Sequence, residues 1–359
     1  MSPATDKRLF SVRNFVASNQ KSKGKPNIYE FEVFVEVPVQ GEFRNGPFML
    51  VPWDTDDGPV GLQRSLVLTI ESYLADIVPA GTAPSNAISK GFYHVLTLPE
   101  EICALATTLL RRRVTLGALL RANGMPLRVR PQLPRRHDAI IADLDLDELS
   151  PSMAQVFGLP VDYHQMFILA CRMYQESLSL IDAKPDLAYL LLVSCIEVFV
   201  GRLGRRTKET DLAPTLRDAL AKCDEGSRAV ILEAYLAQDR GVGRNFVEFI
   251  LEHVGDEFWA ASPKITVDKG LIERVELPAL LTRIYDARSK LVHEAEPFPP
   301  NVLDAPDDKS EIDRRSELTV GEKRWSQKQI IPYARFFERL VQHVLTAFLK
   351  KHTSVQATV

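Results

Sequence analysis

An α+β N-terminal domain followed by an all-α helical bundle is the fold class this sequence predicts, on three observations. Residues 27–39 alternate, with Tyr29, Phe31, Val33, Val35 and Val37 on one face and Glu30, Glu32 and Glu36 on the other. That is the period of a half-buried strand. From Pro151 onward apolar residues recur at helical spacing almost throughout, as on amphipathic helices. Between these regions the composition changes twice, Arg- and Pro-rich over 126–137 and acidic over 138–148, as a linker does. The domains therefore run 1–127 and 151–359, joined by 128–150. A chain of 359 residues is long enough to bury about two full cores.

Residues 1–25 are polar and lysine-rich, without a defensible period. After the strand over 27–39, residues 47–53 read as its partner across the turn region from Gly41 to Gly46. Residues 65–77 fit either a strand or a helix, and residues 91–98 read as a further strand. Pro99, Glu100 and Glu101 then open a helix that the pattern carries to Asn123 and Gly124, since Pro and acids suit a helix's first turn. No chemistry is legible in this first domain.

In the second domain the periodicity predicts helices over 166–181, from Pro185 to Leu203, and over 211–223, 227–238 and 245–254. A loop at 262–270 leads to a helix from about Glu276 to His293, stopped by the proline-rich run 296–300. Residues 295–327 are rich in Pro, Asp, Glu, Lys and Ser and read as a mobile loop, before a last helix over 332–350.

Bulk properties narrow the function classes. The net charge of −3 supplies no global attraction to nucleic acid, so any such binding rests on local basic patches. The four cysteines are far apart and lack metal-ligand spacing, which suits reduced thiols in a cytosol. The first residues lack the apolar core of a signal peptide, and the longest apolar run, 187–201, is too short for a bilayer and contains Glu197. The expectation is a soluble, cytoplasmic protein with no membrane partner. A glycine-rich phosphate loop, a His/Cys zinc cluster and a Gly-x-Ser-x-Gly elbow are all missing from the sequence, so no metal and no cofactor are expected.

The candidate chemistry lies at 284–294. Leu277, Leu280, Leu281, Ile284, Ala287 and Leu291 form one apolar stripe, and Arg288 falls only ~40° from its centre. A guanidinium there needs a carboxylate partner or a cleft between packed helices. Five residues on, His293 closes the helix, a position the macrodipole favours for a cation. Glu197, embedded in an apolar helix, needs a cation in turn, and Arg288 is the one expected to meet it. From spacing alone, a structural ion pair and a dipole-favoured His explain these residues equally well.

The segment Tyr285-Asp286-Ala287-Arg288-Ser289-Lys290-Leu291-Val292-His293 resembles the signature of HEPN domains, particularly the Apea-like group. The stretch from Leu190 to Phe199, with its acid Glu197, is similar to the family's second helix. The resemblance covers roughly 160–350. It implies a HEPN-like helical bundle that forms a homodimer by apposing two Arg-x4-His segments. In catalytic members it also implies a metal-independent endoribonuclease, such as the toxic effector of a defence or stress system held by an antitoxin or regulatory protein. His293 would act as general base or acid, a role its near-neutral pKa suits. Arg288 would stabilise charge on the phosphorane, Ser289 would bond a phosphate oxygen, and Asp286 would support the site. Many relatives carry Asn, Asp or His at the Ser289 position and Gly at the Glu294 position. A carboxylate beside a scissile phosphate opposes its approach, which points to the alternative, a non-catalytic HEPN module that binds nucleotide or RNA or serves as a dimerisation scaffold. Arg202, Arg205, Arg206 and Lys208 could hold RNA phosphates, or simply cap a helix C-terminus. Arg111 to Arg113 and the arginines over 128–136 admit the same two readings, RNA-phosphate contacts or solvated helix and linker charge, with the second favoured.

Overall fold

The computed structural model describes residues 10–20, 25–35, 37, 39–53, 64–73, 91–126, 144–204, 212, 214–238, 241–261, 270–303, 310–315, 317–320 and 323–354. The molecule is α+β, with an antiparallel sheet and a helical C-terminal part. Contacts group the chain into two compact units, Met1–Ala183 with Gln342–Val359, and Lys184–Val341.

In the first unit, helix α1 (Phe10–Asn19) precedes strand β1 (Asn27–Val35), the short β2 (Val39–Gln40), β3 (Phe43–Asn45), β4 (Phe48–Pro52) and β5 (Arg64–Ser72). Helix α2 (Gly91–Leu110) leads to β6 (Thr115–Ala122) and β7 (Met125–Pro126). Then come β8 (Leu144–Asp145), α3 (Leu149–Gly158) and α4 (Val161–Leu180). The main sheet has the order β3-β4-β5-β1-β6-β7, and β2 pairs in parallel with β8. Its centre is β1, antiparallel to both β5 and β6. The alternation decides which face β1 buries: Tyr29, Phe31, Val33 and Val35 all lie inside.

Three expectations are corrected here. Residues 48–52 pair with β3 and β5, so the hairpin across Gly46 joins β3 to β4 and leaves β1 to other partners. Residues 91–98 belong to α2, which runs through Pro99 and buries Leu98, Ile102, Leu105 and Ala106. Proline costs an interior hydrogen bond, and the packing of that face outweighs it. The same helix stops at Leu110, where Arg111 turns left-handed at φ 53°, and the chain returns as β6. The ladder to β1, remote in sequence, overrides the helical spacing of 111–122. Asn123 and Gly124, both at positive φ, then make the tight turn into β7, as Asn-Gly does in two-residue hairpins.

The border between units also differs from the compositional one. Helices α3 and α4 belong with the sheet because α4 packs on α2, so burial rather than composition draws the line. Buried Glu101 on α2 accepts the backbone N–H of Ser11 (2.8 Å) in the first turn of α1, a cap supplied from another helix.

The second unit holds α5 (Pro185–Leu203), α6 (Pro214–Leu220), α7 (Glu225–Gln238), α8 (Val242–His253), α9 (Asp256–Ala260) and α10 (Leu277–Glu294). It closes with the β9 (Glu317–Val320) and β10 (Lys323–Ser326) hairpin and the start of α11 (Ala334–Ser354), whose remainder belongs to the first unit. Helix α8 packs against both α5 and α10. The core between them is Leu192, Ile196, Phe199, Phe246, Ile250, Leu280, Leu281 and Ile284.

The unit is therefore not all-α, and the described part of 295–327 is anchored rather than loose. Phe298 packs on Tyr189 at 5.4 Å between ring centroids, Asn301 donates to the Ile331 carbonyl (2.7 Å), and Ile312, Leu318 and Trp325 are buried. Arg339 meets Glu311 at 2.7 Å, both nearly buried, while its guanidinium lies 4.1 Å above the Phe258 ring. In the described part, five buried apolar residues, Phe298, Val302, Ile312, Leu318 and Trp325, anchor a stretch that is polar on average. Cys103, Cys171 and Cys195 are buried and Cys223 is exposed. Burial pushes the Cys171 thiol up to about 12 and that of Cys103 higher still. Among the described residues no helix is long and apolar enough to cross a membrane.

Candidate functional site

Helix α10 is entered through a one-turn 3-10 segment, Arg274–Glu276, where Glu273 and Glu276 form a reciprocal capping box. It ends where Ala295 adopts φ 54° and donates back to the Lys290 carbonyl. Between these ends its buried stripe is Leu277, Leu280, Leu281 and Ile284. Arg288 continues that stripe one turn on, where the core gives way to a carboxylate.

That carboxylate is Glu197 of α5. Arg288 Nη2 donates to Glu197 Oε2 at 2.9 Å, and the two side chains are only 20% and 19% exposed. Tyr285, one turn earlier on the same helix, lies near enough for its phenol to feel the Glu197 charge. Burial, and then the neighbouring Glu197 charge, pushes the Tyr285 phenol above its ordinary value, so it stays protonated at neutral pH. The ring of Tyr285 is held by α8: Phe246 lies 5.3 Å away between centroids, and a Cβ on Gly243 would come within 2.9 Å of it. The glycine is what lets α8 approach so closely. The cluster Glu197, Tyr285 and Arg288 can hold an oxyanion beside a pre-oriented guanidinium, provided Arg288 keeps a donor to spare.

His293 stands apart from this cluster. It is exposed in the last turn of α10 and makes no hydrogen bond or ion pair with a described residue. Five residues of helix separate it from Arg288 by about 7.5 Å along the axis and about 140° around it. Within one chain the two do not converge on one point. Half-buried Ser289 and exposed Asp286, four and seven residues before His293, share its side of α10 rather than that of Arg288, and line a cleft of ≈ 350 Å³ with Arg283, Lys290, Glu294 and Trp325.

Of the basic run, Arg202 is exposed in the last turn of α5, and Arg205, Arg206 and Lys208 fall outside the described residues. The arginines over 128–136 fall outside them too. Arg112 and Arg113 correct their expectation: both are buried, and Arg113 is paired with Asp182 rather than solvated. Among the described residues no group of three or more His, Cys, Asp or Glu side chains could hold a metal ion.

No model of a known protein family, no curated protein and no solved structure matches the chain. Two features escape a reading of the sequence. Tyr285 lies about 100° from the centre of the apolar stripe and interrupts no pattern, although its spacing of three from Arg288 is a usable sign. The cleft was not visible because half its lining comes from the segment after α10, which composition assigns to a loop.

Proposed function

We propose that the chain is a HEPN-type endoribonuclease that cleaves RNA without a metal and acts as a homodimer, in the role of a defence or stress effector. The observation that carries this reading is the 2.9 Å pair between Arg288 and Glu197 on neighbouring helices. It sets the arginine of the Arg-x4-His segment at the edge of the core, with His293 exposed at the end of the same helix.

In the proposed reaction a base takes the proton of an RNA 2′-hydroxyl as its oxygen bonds to the adjacent phosphorus. The P–O5′ bond breaks and an acid returns a proton to O5′. The products are a 2′,3′-cyclic phosphate and a 5′-hydroxyl. Imidazole near neutrality serves as base or acid, the role of His293. Arg288 meets the charge that builds on the phosphorane oxygens, keeping its proton throughout. Because His293 and Arg288 point different ways in one chain, a second copy is needed to supply the complementary group.

The alternative is a HEPN module that binds RNA or nucleotide without cleaving it. It is favoured by Glu294, which lines the cleft beside Ser289 and adds a negative charge where phosphate would lie. The deciding experiment incubates wild type and His293→Ala with single-stranded and structured RNA in EDTA, alongside sedimentation and thermal melts. Wild type is expected to sediment as a dimer and to leave cyclic-phosphate ends. His293→Ala, exposed in the wild type and so expected to melt normally, should lose about 10²- to 10⁴-fold in rate. RNA left intact by both proteins sinks the enzymatic reading, and binding without cleavage selects the alternative.

A further inference from the structure

The cleft on the His293 side of α10 carries charges of both signs around an apolar base. Ala287, Pro297, Pro299 and Trp325 supply the apolar lining, and Pro299 and Trp325 are themselves buried. Glu296 on its edge is compensated twice, since Lys323 donates to it at 2.9 Å and Lys290 lies 3.9 Å from its other oxygen. Four rim charges remain. Arg283 gives one donor to the Gln327 carbonyl (3.3 Å), and the side chains of Lys328, Asp286 and Glu294 have no hydrogen bond or ion pair with a described residue. Glu276 also feels the Arg283 charge, but Arg314 already meets that carboxylate with two bonds. Arg283 and Glu294 stand about three helical turns apart on one side of α10, at the two ends of the cleft.

We propose that this cleft is a base-specificity subsite for single-stranded RNA: Glu294 accepts both donors of a guanine's Watson–Crick edge, while Arg283 and Lys328 hold the phosphate of the same nucleotide. That the ligand is RNA rests on the nuclease reading above; the choice of base rests on the cleft. Its ≈ 350 Å³ lies near the lower end of the roughly 300–1,000 Å³ of small-ligand sites, room for one nucleotide rather than a duplex. Unpaired bases are recognised by their exposed edges, and a carboxylate can only accept. Guanine sets two donors, N1–H and N2–H, side by side, matching the two carboxylate oxygens. Uracil, cytosine and adenine each place an acceptor beside the donor, which the second oxygen repels. Charge chooses the orientation. Glu294 repels a phosphate at its own end of the cleft, and the two cations attract one at the other. Asp286, a neighbour of Arg283 on the helix surface, tempers that attraction without cancelling it. The carboxylate that follows His293 thereby meets a base instead of a phosphate.

The test uses the full chain and two 2′-O-methyl RNA hexamers, whose blocked hydroxyls cannot attack. One is all uridine and the other carries a single central guanosine. Fluorescence anisotropy should show wild type preferring the guanosine hexamer about 10-fold, the worth of one bidentate base contact. Glu294→Gln changes an exposed residue at a helix end, so it should melt like wild type and lose the preference. Lys328→Ala should weaken both hexamers alike, about 2- to 5-fold, and make binding less salt-dependent. Asp286→Asn should tighten both and keep the preference. Equal wild-type affinity for the two hexamers, a wild type that binds neither, a preference that survives Glu294→Gln, or one lost through Asp286→Asn would each overturn the proposal. Cleavage of unmodified RNA is scored separately. Guanosine-selective binding without cleavage removes the nuclease reading and leaves this one standing, and cleavage without any base preference does the reverse.

Discussion

A single carboxylate, Glu276, illustrates how much a charged group gains when two donors reach it together. Arg314 donates through Nη1 at 2.6 Å and Nη2 at 2.8 Å, and the Glu273 N–H adds a third bond at 2.8 Å. The arginine above all holds the Glu276 carboxyl down to about 2 from its ordinary 4.5. Because the folded value lies below the unfolded one, the stabilisation is fully present above pH 4.5 and is lost as pH falls toward 2. Both side chains are about a third exposed, so solvent screening reduces the contribution to about 1 kcal/mol. Glu276→Gln should therefore be less stable than wild type at pH 7, with the gap closing between pH 4.5 and 2, as urea melts across that range would register. A stability difference that stays constant with pH would show that the charge is not what Glu276 contributes. The same scale shows what a sequence reveals about a site. Glu197 and Arg288 each interrupt an apolar pattern, and the cost of an unpaired buried charge is enough to pair them on paper. Tyr285 interrupts nothing, so its hydroxyl had no such signal.

Among elements, β6 is where local pattern and long-range pairing disagree. Its residues follow α2 at helical spacing, yet they form the strand next to β1, with register shifts around Phe31 and Val33. Gly117 sits at that irregularity, where an added Cβ would lie 2.6 Å from the Phe34 ring and 2.9 Å from the Glu32 carbonyl oxygen. Gly117→Ala should destabilise the protein by about 1–3 kcal/mol through overpacking, measured by chemical denaturation; a change under a few tenths would mean that β1 and β6 part easily there. Strand β1 itself was legible because one buried and one wet face leave a period-two record. Helices α5 and α10 were legible because Pro and acids mark their starts and a long apolar stripe marks their faces. Both ends of helix α2 escape the sequence pattern, one because a proline is tolerated inside the helix and the other because β6 pairs with a strand more than 80 residues away in sequence.

At the scale of the whole molecule, composition located a change near 125–150 and burial moved the border to Ala183. The reason is that α3 and α4 are helical in pattern but pack with the sheet, and periodicity records an element's shape without naming its neighbour. The described part of 295–327 makes the same point in reverse: it is charged and proline-rich, and Phe298, Ile312 and Trp325 nonetheless tie it into the second unit. One feature of the chain as a whole has a practical side. Three of its four thiols are buried and the fourth, Cys223, is exposed just after α6. The native protein therefore carries a single chemical address without any engineering. A maleimide dye should attach once per native chain and four times after denaturation, a ratio that mass spectrometry reads directly. In an assembly of two copies, that one dye per chain becomes a matched pair, and energy transfer between them a ruler.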